Sequence, residues 1–316
     1  MDTQKIGQIL RIAKMYYELH LSQIEIAEKE GISKSTVSRL LKNAMDMGLI
    51  EVRIKESILS YSDLEAQLIE HFPLKRAVIC PDVVGNAQVL LQDVCSALAD
   101  DLPRFIDDHS VLGVAWGHTL AVLSTLLPSI PRNGVSVIQL NGGFSRAVYE
   151  SGALGILKNF VDCVGGTGYQ IPAPSMVDST YIADAIKQES QIRQILEMAE
   201  ACQTAVFSVG CLSRPSVLYE MGILTDAQYQ SIGARGGIGD VCGHFINADG
   251  DIFDPDMDSR VIAAPIDTIK KIPNKLLVAS GKQKAQVIAA ALKGGLADSL
   301  YIDAPTAQEI MRISAL

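Results

Sequence analysis

The sequence predicts a small all-α domain followed by a larger α/β domain. Up to about residue 56, apolar residues recur at the three- and four-residue spacing of amphipathic helices. From about residue 75, short apolar runs alternate with helical segments, the pattern of a parallel sheet covered by helices on both faces. A chain of 316 residues with 48% hydrophobic residues can bury cores for both domains. The predicted boundaries are 1–56 for the first domain, 57–72 for a helical linker and 73–316 for a Rossmann-like second domain.

The first domain is predicted to contain three helices. Residues 5–19 form the first, with its apolar side chains on one face. Ser22 and Glu25 have the spacing of a capping box, which places the start of the second helix, and Gly31 suits the left-handed residue that ends it. Ser33 is the predicted N-cap of the third helix. The inward face of that helix is predicted to hold Val37, Leu40 and Leu41.

The outward face of the third helix has the chemistry of a DNA-recognition helix. Its first turns combine small hydroxyls, which let a backbone approach DNA, with long cations, which contact phosphates and guanines. A β-rich segment at residues 49–55 follows, where the wing of a winged helix-turn-helix would lie. The predicted DNA-binding residues are Ser22, Gln23, Ser33, Lys34, Ser35, Thr36, Ser38, Arg39 and Lys42. The alternative is an ordinary helical hairpin whose polar face is only solvated.

The distribution of charge favours DNA as the partner of this helix. Between residues 33 and 55, five cations stand against two acidic residues, whereas the whole chain has 27 basic and 36 acidic residues and a net charge of −9. We therefore expect DNA contact to be confined to the first domain. A single copy neutralises few phosphates and would bind weakly, so specific recognition implies a homo-oligomer, a dimer or a tetramer.

Composition excludes several other classes of protein. No apolar run reaches the roughly 18 residues that a membrane span requires, and the N-terminus has no signal-peptide pattern. The six cysteines are scattered, with no C-x-x-C pair, which argues against a zinc site and a disulfide framework. Free thiols in a reducing cytoplasm are the better interpretation. We predict a cytoplasmic protein without a metal, a cofactor or a membrane partner.

The second domain is predicted from its alternating elements. Strands are expected at residues 77–80, 111–116, 135–140, 205–209, 276–279 and 300–302. Helices are expected at residues 89–105, 119–127, 182–201, 284–292 and 306–313. In sheets of this kind, ligands bind beyond the carboxyl ends of the strands, where loops lead into helix N-termini.

Three of these strand ends have the composition of an anion site. Gly117-His118-Thr119 precedes a helix, Asn141-Gly142-Gly143 offers backbone amides, and Gly281 is followed by Lys282 and Lys284 at a helix start. Backbone amides, a helix dipole and a lysine together bind phosphate. The loops match neither G-x-G-x-x-G nor G-x-x-x-x-G-K-[ST], so dinucleotides and nucleoside triphosphates are disfavoured. The sequence therefore predicts a small phosphorylated ligand.

A glycine-rich segment at residues 234–245 holds polar groups that complement such a site. Asp240 lies among four glycines and has two interpretations: an acceptor for sugar hydroxyls, or a carboxylate that caps a turn. His118 and His244 are either acid–base groups or hydrogen-bonding and packing residues. The sequence leaves these alternatives open.

Together these segments resemble the SorC family of bacterial transcriptional regulators. The resemblance is carried by YYELHLSQIEIAEKEGISKSTVSRLLKNAMDMGLIEVRI, GVAWGHTL, QLNGG, GGIGDVCGHFINADG and SGKQKAQVIAAALKGG, in this order over nearly the whole chain. It implies a helix-turn-helix fused to an effector domain with the fold of glucosamine-6-phosphate deaminase and ribose-5-phosphate isomerase. The family senses phosphorylated sugars, usually as dimers that pair into tetramers on DNA.

The resemblance also implies roles for individual residues. Gly117, His118, Thr119 and Lys284 would hold the phosphate, and Asp240 would contact the sugar hydroxyls. Two positions depart from the commoner family pattern: His118, where a small or basic residue is frequent, and SGKQK in place of G-G-x-x-K. The predicted effector-binding residues are Gly117, His118, Thr119, Asn141, Gly142, Gly143, Asp240, Gly281 and Lys284.

The function expected from these observations is transcriptional regulation of carbohydrate uptake or catabolism genes, controlled by a phosphorylated sugar effector. Operator DNA is the second partner, and repression and activation both remain open. The alternative is a sugar-phosphate isomerase or deaminase with an accessory DNA-binding head. Asp240 is the one clear acid–base candidate and has no convincing partner acid, so we predict no catalytic residue. A Schiff base at Lys284 or Lys282, and DNA binding without any ligand, are weaker alternatives.

Overall fold

The computed structural model describes residues 3–50, 61–143, 152–212 and 224–314. The chain divides into two compact units, Met1–Ile58 and Leu59–Leu316. The wing predicted at residues 49–55 lies, from residue 51 onward, outside the described residues. The domain boundaries predicted at residues 56 and 72 stay predictions.

Residues 3–50 of the first unit form three helices: α1 (Thr3–Tyr17), α2 (Gln23–Glu30) and α3 (Lys34–Asp46). The capping box predicted at the start of α2 is confirmed: the Ser22 N–H donates to Glu25 Oε2 at 2.8 Å, and the Glu25 N–H donates to Ser22 Oγ at 3.3 Å. Gly31 ends α2 in the left-handed conformation, with φ of 65°. Ser33 caps α3 by accepting the Thr36 N–H at 3.1 Å. Local hydrogen bonds therefore fix the tight turn between α2 and α3.

The core of the first unit is formed by the inward faces of all three helices. Arg11 on α1 also makes two hydrogen bonds to the carboxylate of Glu30 at the end of α2, at 2.8 and 2.6 Å. This packing leaves the polar face of α3 on the surface of the unit. The buried apolar side chains are Ile9, Ile12, Ala13, Ile26, Val37, Leu40, Leu41 and Ala44.

The described residues of the second unit form two sheets. Its strands are β1 (Arg76–Cys80), β2 (Val111–Val114), β3 (Ser136–Gln139), β4 (Thr167–Tyr169), β5 (Thr204–Phe207), β6 (Val209–Cys211), β7 (Gly237–Val241), β8 (His244–Asn247), β9 (Asn274–Ala279) and β10 (Ser299–Asp303). Seven of them pair in parallel in the order β1-β10-β9-β5-β2-β3-β4. The small second sheet pairs β6, β7 and β8 antiparallel.

The order of the parallel strands reverses between β2 and β5. From β2 the chain proceeds outward to β3 and β4, and from β5 it proceeds in the opposite direction to β9 and β10. Connections that leave two adjacent strands in opposite directions open a crevice at the carboxyl ends of those strands. The topology therefore places a ligand crevice beyond β2 and β5.

Helices cover both faces of the parallel sheet. Alternating side chains of β9 show this: Leu276 and Val278 pack with one group of helices, and Leu277 and Ala279 with another. All four side chains are fully buried, as expected for a parallel strand covered on both sides. The helices are α4 (Ser62–His71), α5 (Ala87–Asp101), α6 (His118–Thr125), α7 (Ala153–Val164), α8 (Thr180–Gln188), α9 (Ser190–Met198), α10 (Asp226–Ala234), α11 (Pro255–Asp258), α12 (Ile266–Lys271), α13 (Ala285–Lys293) and α14 (Ala304–Ser314).

The structure differs from the predicted elements in several places, and α7, α10, α11 and α12 were also not predicted. The helix predicted at residues 182–201 is divided into α8 and α9, because Glu189 has an extended ψ of 131°. The short strand β4 and the sheet of β6, β7 and β8 were not predicted, since their glycine-rich sequences lack a regular apolar alternation. Helix α4, within the predicted linker, buries Leu68 in the core of the second unit.

Gly155 offers a test of the helical assignment of α7. It is exposed, and a Cβ built there would meet nothing within 4 Å. We expect Gly155→Ala to raise the free energy of unfolding by about 0.5–1 kcal/mol, because glycine loses more backbone entropy than alanine in a helix. Urea denaturation measures this change. Gly113→Ala in β2 is the contrasting variant: its Cβ would lie 2.6 Å from Leu140 Cδ2, so destabilisation is expected. Equal effects of the two variants would contradict the assignment.

Candidate functional site

A cavity of about 640 Å³ lies at the carboxyl ends of β2, β5 and β9. Its walls come from residues 115–119 after β2, residues 208–211 after β5 and the loop after β9, together with the first turns of α5. This is the place at which the strand order reverses. The cavity therefore occupies the crevice that the topology opens.

Seven of the nine predicted effector-binding residues line this cavity: Gly117, His118, Thr119, Asn141, Asp240, Gly281 and Lys284. Gly142 and Gly143 are not among its lining residues. The Gly142 N–H donates to the carbonyl of Ile262 at 2.9 Å, and the Gly143 N–H donates to that of Ala173 at 2.9 Å. The prediction that both amides are exposed was wrong, because two distant segments pack on this strand end and take up their hydrogen bonds.

Lys284 brings a positive charge to one side of the cavity. Its Nζ donates to Thr119 Oγ1 at 3.2 Å and lies 3.4 Å from Ser208 Oγ. Burial lowers the pKa of Lys284, while the nearby Cys211, Cys95, Asp240 and Asp303 groups act in the opposite direction. Within the described parts of the chain, no carboxylate forms an ion pair with this ammonium group. The two hydrogen-bond partners described for it, Thr119 and Ser208, are neutral hydroxyls.

The N-terminus of α6 reaches the same side of the cavity. Gly117 precedes the helix with φ of 139°, a conformation that side chains disfavour, and the helix begins at His118. The first amides of a helix have no acceptor within the helix, and the helix dipole makes that end positive. Because Thr119 on the first turn contacts Lys284, the amides and the ammonium group form one electropositive region.

Asp240 provides a buried carboxylate in the same cavity. It is 8% exposed, and its Oδ2 accepts the Gly243 N–H at 3.1 Å. Burial raises the pKa of Asp240 to about 6, against the opposing effects of that hydrogen bond and of the charges of His244 and Lys284. The Gly243 contact matches the turn-capping interpretation, and the cavity position matches the ligand-binding one. The structure is therefore compatible with both interpretations of Asp240, the turn-capping and the ligand-binding one.

Gly210 determines where the Asp240 carboxylate lies. The two residues are paired across β6 and β7, and a Cβ at Gly210 would lie 2.0 Å from Asp240 Oδ1. Only a residue without a side chain leaves the carboxylate this position. Sequence reasoning missed Gly210, because the pairing of β6 with β7 joins residues thirty positions apart and has no local signal.

Asn141 has an unused hydrogen-bonding atom at the cavity. The side chain is 4% exposed, and among the residues that the structure describes its buried Oδ1 has no hydrogen-bond partner. A buried acceptor without a donor costs about 1–3 kcal/mol. A ligand donor that reached this atom would satisfy it.

The two histidines singled out from the sequence have different environments. His118 is exposed at the start of α6 and lines the cavity. His244 is buried, with Nδ1 2.6 Å from Asp258 Oδ1 and Nε2 3.0 Å from the carbonyl oxygen of Ala264. It lines a separate cavity of about 400 Å³. The hydrogen-bonding interpretation of His244 is therefore the one that the structure matches.

The cysteines and acidic residues form no metal centre in the parts of the chain that the structure describes. No group of three or more histidine, cysteine, aspartate or glutamate side chains there is placed to hold a metal ion. Within the described chain none of the six cysteines is paired in a disulfide, and Cys211 is the half-buried one, on the cavity wall. None of the helices in these ranges is both long and apolar enough to cross a bilayer.

The predicted DNA-binding residues lie on the outer surface of α2 and α3. Five of them on α3 are exposed: Lys34, Ser35, Ser38, Arg39 and Lys42. Ser22 is exposed too, and Gln23 and Thr36 are half-buried. The hydroxyl of Ser33 is already engaged, since it caps α3 and lies 2.8 Å from Ser35 Oγ and from Thr36 Oγ1. Ser33 thus has a structural role, whereas the three cations on α3 have no ion-pair partner in the described chain.

Comparison with known proteins agrees with this division of the chain. Residues 56–312 match the Sugar-bind family, a sugar-binding domain, and residues 20–51 match the winged helix-turn-helix DNA-binding family. The chain belongs to the SorC family of transcriptional regulators. As a SorC-family protein it is a DNA-binding regulator with a sugar-binding domain, and its relatives are named as regulators and not as enzymes.

The relatives of this SorC-family regulator align over nearly their full length. The deoxyribonucleoside regulator of Bacillus subtilis is 27% identical over 98% of this chain and 99% of its own. The transcriptional regulator LsrR of Escherichia coli is 30% identical over 96% of this chain and 94% of its own. The full-length sorbitol operon regulator SorC from Klebsiella pneumoniae has the same fold, with a TM-score of 0.75 at 22% identity over 98% of this chain and 99% of that one.

Gly210→Ala tests the position of the Asp240 carboxylate. The added Cβ would displace Asp240 Oδ1, so we expect the affinity of this SorC-family regulator for its sugar ligand to fall at least about tenfold, or 1.4 kcal/mol. Isothermal titration calorimetry measures the affinity. Gly155→Ala, on the exposed face of α7, is the matched control and should bind normally. Unchanged affinity in Gly210→Ala would show that the position of Asp240 does not matter for binding.

Asp240→Asn tests the raised pKa of the carboxyl group. Because the folded-state pKa of about 6 lies above the ordinary value of 3.8, the folded protein holds this proton more tightly than the unfolded chain. The free energy of unfolding of the wild type should therefore fall, relative to Asp240→Asn, as the pH rises from about 4 to about 7. The expected difference is on the order of 2–3 kcal/mol. Urea denaturation at several pH values measures it, and a constant difference between the two proteins would contradict the pKa.

Proposed function

We propose that this regulator binds operator DNA through α3 and that a phosphorylated sugar, bound in the cavity beyond β2, β5 and β9, controls that binding. The observation that carries the proposal is the arrangement of charge in the cavity. Lys284 and the N-terminus of α6 lie on one side, and Asp240 and Asn141 supply acceptors in the same space. A ligand with an anionic group and several hydroxyls complements both.

The phosphate is proposed to bind at the electropositive side. The amides at the start of α6 provide donors, and Lys284 provides the charge. Thr119 and Ser208 hold the ammonium group through their hydroxyls, at 3.2 and 3.4 Å, and leave it uncompensated. A doubly charged anion would restore the balance in this partly buried place. Gly117, Gly281 and exposed His118 are proposed to line the same subsite.

The sugar hydroxyls are proposed to bind at Asp240 and Asn141. A hydroxyl is both donor and acceptor, so it can donate to the free Oδ1 of Asn141 and to the carboxylate of Asp240. One relative is named a deoxyribonucleoside regulator, which supports an effector that contains a sugar. The parallel sheet with its cavity at the carboxyl edge also supports the inferred likeness to the fold of glucosamine-6-phosphate deaminase and ribose-5-phosphate isomerase.

Control of carbohydrate uptake or catabolism genes in the cytoplasm follows from such an effector. The cations on α3 would contact phosphates, with Arg39 also placed to read guanine. Because one α3 helix neutralises few phosphates, we infer that a dimer or tetramer binds the operator. The effector would then change operator affinity by a coupling free energy of about 1–3 kcal/mol, or about 5–150-fold.

Arg39→Ala and Lys284→Ala test the division of labour between the two units. Arg39→Ala should weaken operator binding and reduce its salt dependence, while sugar-phosphate binding stays unchanged. Lys284→Ala should reduce sugar-phosphate affinity at least about tenfold and leave ligand-free operator binding unchanged. Fluorescence anisotropy measures operator binding. Thermal shift with a panel of sugar phosphates and their unphosphorylated parents measures sugar-phosphate binding.

Lys14 is an exposed residue of α1, and Lys14→Ala is the control for loss of a surface cation. If both variants lost operator binding and sugar-phosphate binding equally, the assignment of one activity to each unit would be contradicted. A thermal shift with a parent sugar as large as that with its phosphate would contradict the anion site. Turnover of a sugar phosphate would instead support the isomerase or deaminase alternative.

A further inference from the structure

A buried carboxylate outside the cavity is joined to the loop that carries Lys284. Asp303 ends β10 and is 1% exposed, and Thr306 on the first turn of α14 is fully buried. We propose that Asp303 and Thr306 are positioning residues for the effector site, which hold the loop after β9 so that the Lys284 ammonium group points into the cavity. This inference rests on the proposed function.

The Asp303 carboxylate is fully occupied by two partners. Its Oδ1 accepts the Thr306 N–H at 2.8 Å and the Thr306 hydroxyl lies 2.7 Å from the same atom. Its Oδ2 accepts the Gly281 N–H at 2.8 Å, and that N–H lies 3.1 Å from Thr306 Oγ1 as well. The backbone of Gly281 is therefore held by a charged acceptor, which makes a stronger hydrogen bond than a neutral one.

The position of Gly281 in turn restricts the backbone of Lys284. Its φ of 108° is a conformation that glycine adopts freely and other residues disfavour, and the contacts of its N–H hold the loop in this conformation. The carbonyl of Gly281 accepts the Lys284 N–H at 2.9 Å, which closes a short turn of 3₁₀ helix at residues 282–284. The Lys284 Nζ then reaches Thr119 and Ser208 in the cavity. Two consecutive hydrogen bonds thus lead from Asp303 to Lys284, the proposed phosphate-binding cation.

The negative charge of Asp303 also acts on Lys284 directly. Burial lowers the pKa of Lys284, and Asp303 is one of the groups that oppose this effect. Asp303 does so without an ion pair to Lys284, because its oxygens are taken by Gly281 and Thr306. The carboxylate can favour the charged lysine and still leave the ammonium group free for a ligand.

Asp303 also has a structural role as a helix cap, and the test must distinguish that role from positioning of the Lys284 loop. Asp303 directly precedes α14 and accepts the Thr306 N–H in the manner of an N-cap residue. Asparagine caps a helix about as well as aspartate, so Asp303→Asn keeps the cap through Oδ1. It replaces Oδ2 by an amide nitrogen that cannot accept the Gly281 N–H, and it removes the charge. The variant therefore separates the loop from the cap.

The test measures affinity for inorganic phosphate and for the sugar phosphate selected by the thermal-shift panel, on the full chain at constant ionic strength. For Asp303→Asn we expect a loss of roughly tenfold or more for both ligands, with little loss for the unphosphorylated parent sugar. Asp298→Asn is the matched control. Asp298 is a carboxylate 5% exposed that pairs with Lys275 at 3.0 Å and Lys75 at 3.2 Å, away from the cavity lining.

The outcomes separate this inference from the proposed function. Phosphate binding by the wild type that is lost in Lys284→Ala but kept in Asp303→Asn would overturn the positioning role alone. A wild type that binds no phosphate would overturn the proposed function, and the positioning role with it. If Asp303→Asn does not fold, Thr306→Val decides, because it removes the hydroxyl near the Gly281 N–H and keeps the shape of the side chain. Unchanged phosphate affinity in Thr306→Val would then overturn the inference.

Discussion

The reversal of strand order between β2 and β5 is the constraint on which the site depends. Because the connections from these strands diverge, the helices of the described chain leave a cavity beyond their carboxyl ends. The loops after β2, β5 and β9 then converge there from distant parts of the chain. For this reason Lys284 donates hydrogen bonds to Thr119 and Ser208, although both lie far from it in sequence.

Lys284 and Asp240 bring opposite charges to the cavity, and a ligand can bind both groups. Lys284 is held by hydroxyls, and Asp240 by a backbone N–H; within the described chain the two do not form an ion pair. Direct pairing would satisfy both groups and weaken their hold on a ligand. Keeping them apart is costly, since burial opposes the charged form of each, as the directions of their pKa changes show. A ligand with an anionic group and hydroxyls relieves that cost.

The first unit carries its positive surface on a helix whose ends are fixed by local hydrogen bonds. The capping box at Ser22 and the cap at Ser33 use the hydroxyls nearest the turn, and the three cations of α3 project from the next turns. In a chain with a net charge of −9, this separation confines attraction for a polyanion to one small region. The acidic remainder opposes binding of nucleic acid elsewhere.

The sequence by itself determined the two kinds of architecture, the caps of α2 and α3 and seven of the residues that line the cavity, because caps, helical spacing and strand-end glycines act over a few residues. Tertiary structure alone decided the rest. Gly210 faces Asp240 only through the pairing of β6 with β7, and the amides of Gly142 and Gly143 are occupied by segments far along the chain. Asp303 supports the Lys284 loop because β9 and β10 are neighbours in the sheet. Contacts between distant residues depend on the order and register of the strands, and no local pattern of side chains encodes them.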